Sequence, residues 1–182
     1  QRRLLLVRTR VFEEMKNLSA RTKSDMARIL TDGIGRGQNP RDIAKRLTEE
    51  TGMEIGRAKR IARTEITTAL RRARWDESDE AEAQYGIMTR QMHLSALSPT
   101  TRRKHALRHA HLYTTEEVRD WYSVDGNAIN CKCMQVAVLV DADGRPLNPN
   151  VIDMAKKRLE KAQKAGLVAN HLHCGCGHHH AA

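Results

Sequence analysis

The sequence predicts an α+β protein with a predominantly helical N-terminal half, a small mixed module of short strands and a hairpin, and a C-terminal helix. Three observations predict it. Apolar residues recur at helical spacing as far as about residue 83, and beyond Gly86 the period shortens to two. The 182-residue chain also holds only six aromatic side chains. Its core must therefore come from Ala, Leu, Ile, Val and Met, which suits packed helices better than a large sandwich. The length allows one ordinary domain plus an extension. The expected segments are 1–39, a basic helical arm; 40–148, the main domain; and 149–182, a helix with a His/Cys-rich tail.

Residues 1–30 read as a basic helix, in which Leu4, Val11, Met15, Leu18 and Met26 recur close to helical spacing. The stretch from Thr31 to Pro40 is expected to break it, with glycine supplying the helix end and Pro40 opening the next first turn. Residues 40–50, PRDIAKRLTEE, form a short amphipathic helix, and Gly52 is a second break. A long helix follows over about 54–83, where Ala58, Ala62, Ile66, Ala69 and Ala73 share one face. Glu65 projects onto that stripe, with Arg63 at its margin. An unpaired buried carboxylate is costly, so Glu65 is expected to be held by an arginine.

From Gly86 onward, Met88, Met92 and Leu94 alternate against Thr89, Gln91 and His93, which predicts a half-buried strand with Arg90 as its misfit. Ser98-Pro99 reads as the start of a helix carrying Arg102, His105 and His109 on one side. Thr114 and Glu117 have capping-box spacing before a helix that ends near Trp121-Tyr122. Met134 to Val140 reads as a strand, and Asp143-Gly144 as a turn that can close a hairpin. Residues 151–166 form a charged helix, and the tail HLHCGCGHHHAA shows no pattern. No run of 18 apolar residues occurs, so no membrane span is expected.

A net charge of +10 predicts contact with a polyanion, because Lys and Arg release counterions from phosphates. The candidate contacts are Arg57, Lys59, Arg60, Arg71, Arg72, Arg103 and Lys104. Few aromatics are interleaved with them, so stacking on single strands is not expected. Phosphate contact with double-stranded DNA, without sequence readout, fits better. The plainer alternative is a set of solvated helix faces. The glycines at 33, 35 and 37 lack a preceding strand and a following Lys-Ser/Thr, so they make no phosphate cradle.

The four cysteines form two Cys-x-Cys pairs, Cys131/Cys133 and Cys174/Cys176. Such pairs beside histidine point to metal more than to disulfides. Cys131 and Cys133 with His105 and His109 would supply two thiolates and two imidazoles, a tetrahedral set for a structural zinc ion. His111 is the alternative second imidazole. The plainer reading keeps these cysteines as small buried residues and the histidines as ordinary polar groups. The tail would either donate to the same metal or bind metals without purpose. A catalytic role for His105 as a general base, or for Cys131 beside a histidine, has no motif context. No second acidic cluster offers a two-metal site, so the chain is not expected to be an enzyme.

Three pieces occur in order: Ile61-Ala62-Arg63-Thr64-Glu65, then Thr101-Arg102-Arg103-Lys104-His105, then Asn130-Cys131-Lys132-Cys133 before a Val-rich strand and an Asp-Gly turn. Together they resemble the Arg-Thr-Glu, Arg-x-x-His and Asn-Cys-Arg-Cys series of the phage Mu protein F–like minor head proteins, over about residues 40–148. The resemblance implies a structural component of a tailed-phage head, associated with the portal protein and the head interior. It implies multiple copies around the portal and a part in head morphogenesis or DNA delivery. The expected location is the virion, with the host cytoplasm during assembly. Its signature positions here are Arg63, Glu65, Arg102, His105, Cys131 and Cys133, with Glu65, Arg63 and Arg102 expected as a structural ion-pair cluster. His109, His111 and the second cysteine pair depart from the pattern. The alternatives are a zinc-stabilised, non-specific DNA-binding protein and, behind it, a DNA-processing enzyme using His105.

Overall fold

The structure, a computed structural model, describes residues 18–168. Among these residues are six helices and one three-stranded antiparallel sheet, the α+β arrangement expected. Most of the helix expected over 1–30, and the tail carrying Cys174 and Cys176, lie outside the described residues. The chain divides into two compact units, each discontinuous in sequence. Unit 1 takes the chain up to Asp79 and then Arg119–Cys131, whereas unit 2 takes Glu80–Val118 and the chain from Lys132 onward.

Unit 1 begins with α1 (Ala20–Gly35), capped by the Ser19 hydroxyl, which accepts the Thr22 N–H. The helix ends at Gly35, inside the stretch where the sequence predicts the break, and Gly37 follows in the left-handed conformation with φ +66°. Gly33, in the last helical turn, is buried against Ile43, a residue of α2 (Pro40–Thr51). The same turn places Asp32 where its carboxylate meets Arg36 at 2.6 Å and Arg46 at 2.7 Å. Hydrogen bonding from Arg46 holds the Asp32 carboxyl below its usual range, and Arg28 does the same for Glu50. Asn39 caps α2 through the Arg41 N–H, and Gly52, with φ +68°, closes it in the left-handed conformation.

A Cβ placed on Gly33 would stand 2.5 Å from the Ile43 side chain. Ile43 is fully buried and has nowhere to retreat. Gly33→Ala is therefore expected to destabilise by up to about 2 kcal/mol, the overpacking cost of roughly 1–3 kcal/mol less about 1 kcal/mol of helix propensity. A thermal melt with a raised Tm would contradict this packing argument.

The long helix α3 (Ile55–Tyr85) starts on Glu54, whose carboxylate accepts the N–H groups of Gly56 and Arg57 at 2.6 and 2.8 Å. Its stripe is buried as the periodicity predicts. Ala58, Ala62, Ile66 and Ala69 join Met26, Ile29, Leu30, Leu47 and Ile61 in the unit 1 core. Alanine at successive turns lets the neighbouring helix side chains approach closely, so this core needs no aromatic residues.

In unit 2 the strands are β1 (Thr89–Leu94), β2 (Leu112–Tyr113) and β3 (Met134–Leu139), in the order β2-β1-β3. β1 pairs antiparallel with β3 from Thr89↔Leu139 to Leu94↔Met134, and with β2 at Gln91↔Tyr113 and Met92↔Leu112. Met92 and Val138 pack with Ala155, Val151 and Ile152 of the C-terminal helix, Asn150–Lys164. The opposite side of β1 is not the wet face that its alternation predicts, because Gln91 and His93 are only 2% and 1% exposed.

Two further expectations change in detail. The helix carrying His105 is only α4 (Arg103–Leu107). It stops because Ala110 turns left-handed, with φ +64°, and gives its N–H to His93 O at 2.8 Å, joining the chain to the sheet. His109 therefore lies beyond the helix. The Asp143-Gly144 turn forms with Asp141 accepting from Asp143 and Arg145, but the hairpin closes through a single bridge, Val140 to Pro146. The capping box is present in both directions: Thr114 N donates to Glu117, and Glu117 N to Thr114, at 2.7 and 3.1 Å. It opens α5 (Thr115–Ser123), and α6 is the C-terminal helix, Asn150–Lys164.

Candidate metal centre and signature positions

Unit 2 brings His93, His105 and Cys133 together. Each offers one donor atom, and the three atoms lie within 4.8 Å of one another, all on buried residues. His93 sits on the central strand β1, where its cross-strand partner is Gln135. The Gln135 side-chain amide approaches His93 Nδ1 at 3.2 Å. His105 comes from α4, with Nδ1 3.4 Å from Sγ of Cys133, the residue immediately before β3. Two imidazoles and a thiol are the nitrogen and sulfur donors that zinc prefers. With Zn–N near 2.1 Å and Zn–S near 2.3 Å, a tetrahedral N···S edge is about 3.6 Å. The observed His105–Cys133 separation is close to that edge.

Of the four expected zinc ligands, His105 and Cys133 meet here. The His109 ring is engaged with backbone: Nδ1 accepts the Ser95 N–H at 3.0 Å, and Nε2 donates to Ala155 O at 3.1 Å. Its lone pair and its proton are both committed, which leaves no ligand atom for a metal. Burial lowers the His109 pKa, the Ala155 carbonyl opposes this, and Arg158 and His111 add to the lowering. Cys131 belongs to unit 1, where its Sγ stands 3.7 Å from the Tyr122 hydroxyl. His93 escaped the sequence reading because period-two alternation put it on the presumed solvent face. No local signal marks it, because Gln91 and His93 are both polar and read as an ordinary solvent face.

Of the other signature residues, Arg63, Glu65 and Cys131 lie in unit 1. Arg63 Nη1 donates to Asn130 Oδ1 at 2.9 Å, while the Asn130 N–H donates to Thr64 Oγ1 at 2.9 Å. Asn130 holds φ +51°, a left-handed backbone that asparagine tolerates better than most residues. The Arg-Thr pair on α3 thus clamps the turn that leads into Cys131. Glu65 is buried, at 3% exposure, on the same helix. Arg102 occupies the residue before α4, in unit 2.

Among the residues expected to contact DNA, Lys59, Arg60, Arg72 and Arg103 are exposed, and Arg57 and Lys104 are half-buried. Arg71 differs, being buried at 6% exposure. Its guanidinium lies 4.3 Å over the Tyr122 ring and donates to Cys131 O at 3.2 Å. Trp75 stacks on the same tyrosine, with ring centroids 5.8 Å apart.

Comparison with known families gives a match to the family described as phage Mu protein F like protein, over residues 24–136. This span covers more than half of the chain and all three signature pieces. No curated protein and no solved structure matches the chain. Among the described residues, no helix is long and apolar enough to cross a membrane.

Proposed function

The chain belongs to the phage Mu protein F–like family and is a phage head-related protein, and from that premise we propose that it is a minor structural component of a tailed-phage head. It works at the portal and head interior in several copies, in head morphogenesis or DNA delivery, and its place is the virion. The family match across residues 24–136 carries this reading. A structural rather than enzymatic role is supported by what the signature residues do. Arg63 and Thr64 hold Asn130, and His105 and Cys133 meet in a buried cluster. In this reading that cluster is a structural zinc staple.

DNA contact rests on the exposed basic residues of α3. Replacing Lys59, Arg60 and Arg72 together by glutamine is expected to flatten the salt dependence of duplex binding by roughly 0.9 in log–log slope per lost phosphate contact. An unchanged slope would assign these residues to solvation alone.

The decisive experiment is mass spectrometry of purified particles from a lysate of cells producing the phage. The expected result is this chain in DNA-filled heads at low copy number. Its absence from purified particles overturns the reading, and recovery only as a free DNA-bound protein would favour a zinc-stabilised, non-specific DNA binder.

A further inference from the structure

We propose that His93 is the third protein ligand of a zinc ion bound with His105 and Cys133, and that Gln135 is the positioning residue that fixes the His93 ring for the metal. The proposal rests on the zinc-staple reading of this cluster and specifies it residue by residue.

The argument starts from the register of the sheet. The β1–β3 pairing sets His93 directly opposite Gln135, and both side chains are buried. Gln135 meets the ring at Nδ1, so Nε2 is the nitrogen that serves as ligand. A neutral imidazole ligates through the nitrogen that lacks a proton, and the proton then sits on the other nitrogen. Zinc at Nε2 therefore requires Nδ1–H, which needs an acceptor. A half-turn of the Gln135 amide exchanges its NH2 for Oε1 at that position, because the two ends are nearly the same shape. Gln135 then accepts from Nδ1–H, holds the tautomer and orients the ring. This is the outer support that metal-bound histidines almost always carry.

The donor types select the metal. A thiolate with two imidazoles favours zinc over magnesium or calcium, which take oxygen donors. Binding displaces the Cys133 thiol proton to solvent and forms an Sγ–Zn bond. The His93 proton moves from Nε2 to Nδ1, and His105 ligates through Nδ1, the atom that faces Cys133. No oxidation occurs. The Zn²⁺ and one thiolate leave a net single positive charge. Three protein donors leave one tetrahedral position for a water molecule or a fourth side chain.

The test uses the full chain carrying Cys174→Ser and Cys176→Ser, stripped of metal and titrated with Co²⁺. One equivalent is expected to give the tetrahedral visible bands and a thiolate-to-cobalt charge-transfer band in the near ultraviolet. Cys133→Ser is expected to abolish the charge-transfer band, whereas Cys131→Ser leaves it intact. Gln135→Met, which preserves volume, is expected to weaken binding by roughly 10–100-fold, and Gln135→Glu, which restores an acceptor, to recover it. Circular dichroism checks each variant, and the Gln135 pair decides the matter if His93→Gln fails to fold. Absence of any thiolate–cobalt band in the parent protein overturns the staple reading and the assignment together. A band that persists at full affinity in His93→Gln and in Gln135→Met overturns the ligand assignment alone.

Discussion

Arg71→Ala is expected to lower the stability of the protein by about 3 kcal/mol, whereas Arg72→Ala, one residue along, changes it by no more than about 0.5 kcal/mol. Arg71 is buried over the Tyr122 ring and donates to the Cys131 carbonyl. A desolvated cation–π contact contributes about 2 kcal/mol, and leaving a buried carbonyl without its donor costs about 1–3 kcal/mol. These terms share atoms and do not add in full. Arg71→Lys is expected to recover only part of the loss, because an ammonium cannot lie flat on a ring while donating sideways. Arg72 is exposed, so its removal is expected to leave the fold intact. Urea denaturation of the two alanine variants checks the contrast, and equal midpoints would refute it.

The second large effect is expected at His109. His109→Ala leaves the buried Ser95 N–H without its acceptor and removes the ring's bond to the Ala155 carbonyl, which keeps its place in the helical ladder, and is expected to cost about 2–3 kcal/mol. The same geometry sets a pH dependence. Protonating Nδ1 would turn it from an acceptor into a donor facing the Ser95 N–H, within a buried site. The folded pKa is accordingly below the ordinary imidazole value of 6.5, chiefly through burial. With a depressed folded pKa, the unfolded chain takes up the proton first as pH falls. The stabilisation is therefore fully present above the unfolded pKa and is lost as pH drops below it toward the folded value. The comparison is made between the parent and His109→Gln, both treated with a chelator. The parent is expected to lose more Tm than the variant on acidification from about pH 8 to about pH 5.5. Parallel curves would remove His109 from the pH response.

Helices with strong periodicity were legible in the sequence, and so was the chemistry of their ends. The α3 stripe is buried at its alanines, the Thr114/Glu117 capping box closes reciprocally, and Asn39, Pro40 and Gly52 bound α2 as their residue types require. Local signals failed where a distant residue decided the outcome. His105 and His109 share a helical face only if the helix continues, and the hydrogen bond from Ala110 to His93 ends that possibility. The candidate site was half legible for the same reason. Cys133 and His105 carry recognisable donor chemistry, but His93 joins them only through the strand register that no local pattern encodes. Arg71 and Arg72 are indistinguishable as letters, and only the helical phase relative to Tyr122 separates an internal arginine from a surface one.

The interleaved path of the chain has a consequence for synthesis on the ribosome. Unit 1 is complete only when Arg119–Cys131 has joined it, and that segment emerges after the whole of Glu80–Val118. At about 5–20 residues per second, the early helices wait several seconds for Asn130 to reach Arg63 and Thr64. During that delay the polypeptide exposes apolar surface that its own later portion must cover. Neither unit can be excised as a continuous fragment, so a nascent chain stalled before residue 119 is expected to be a substrate for chaperones and proteases rather than a smaller working head protein.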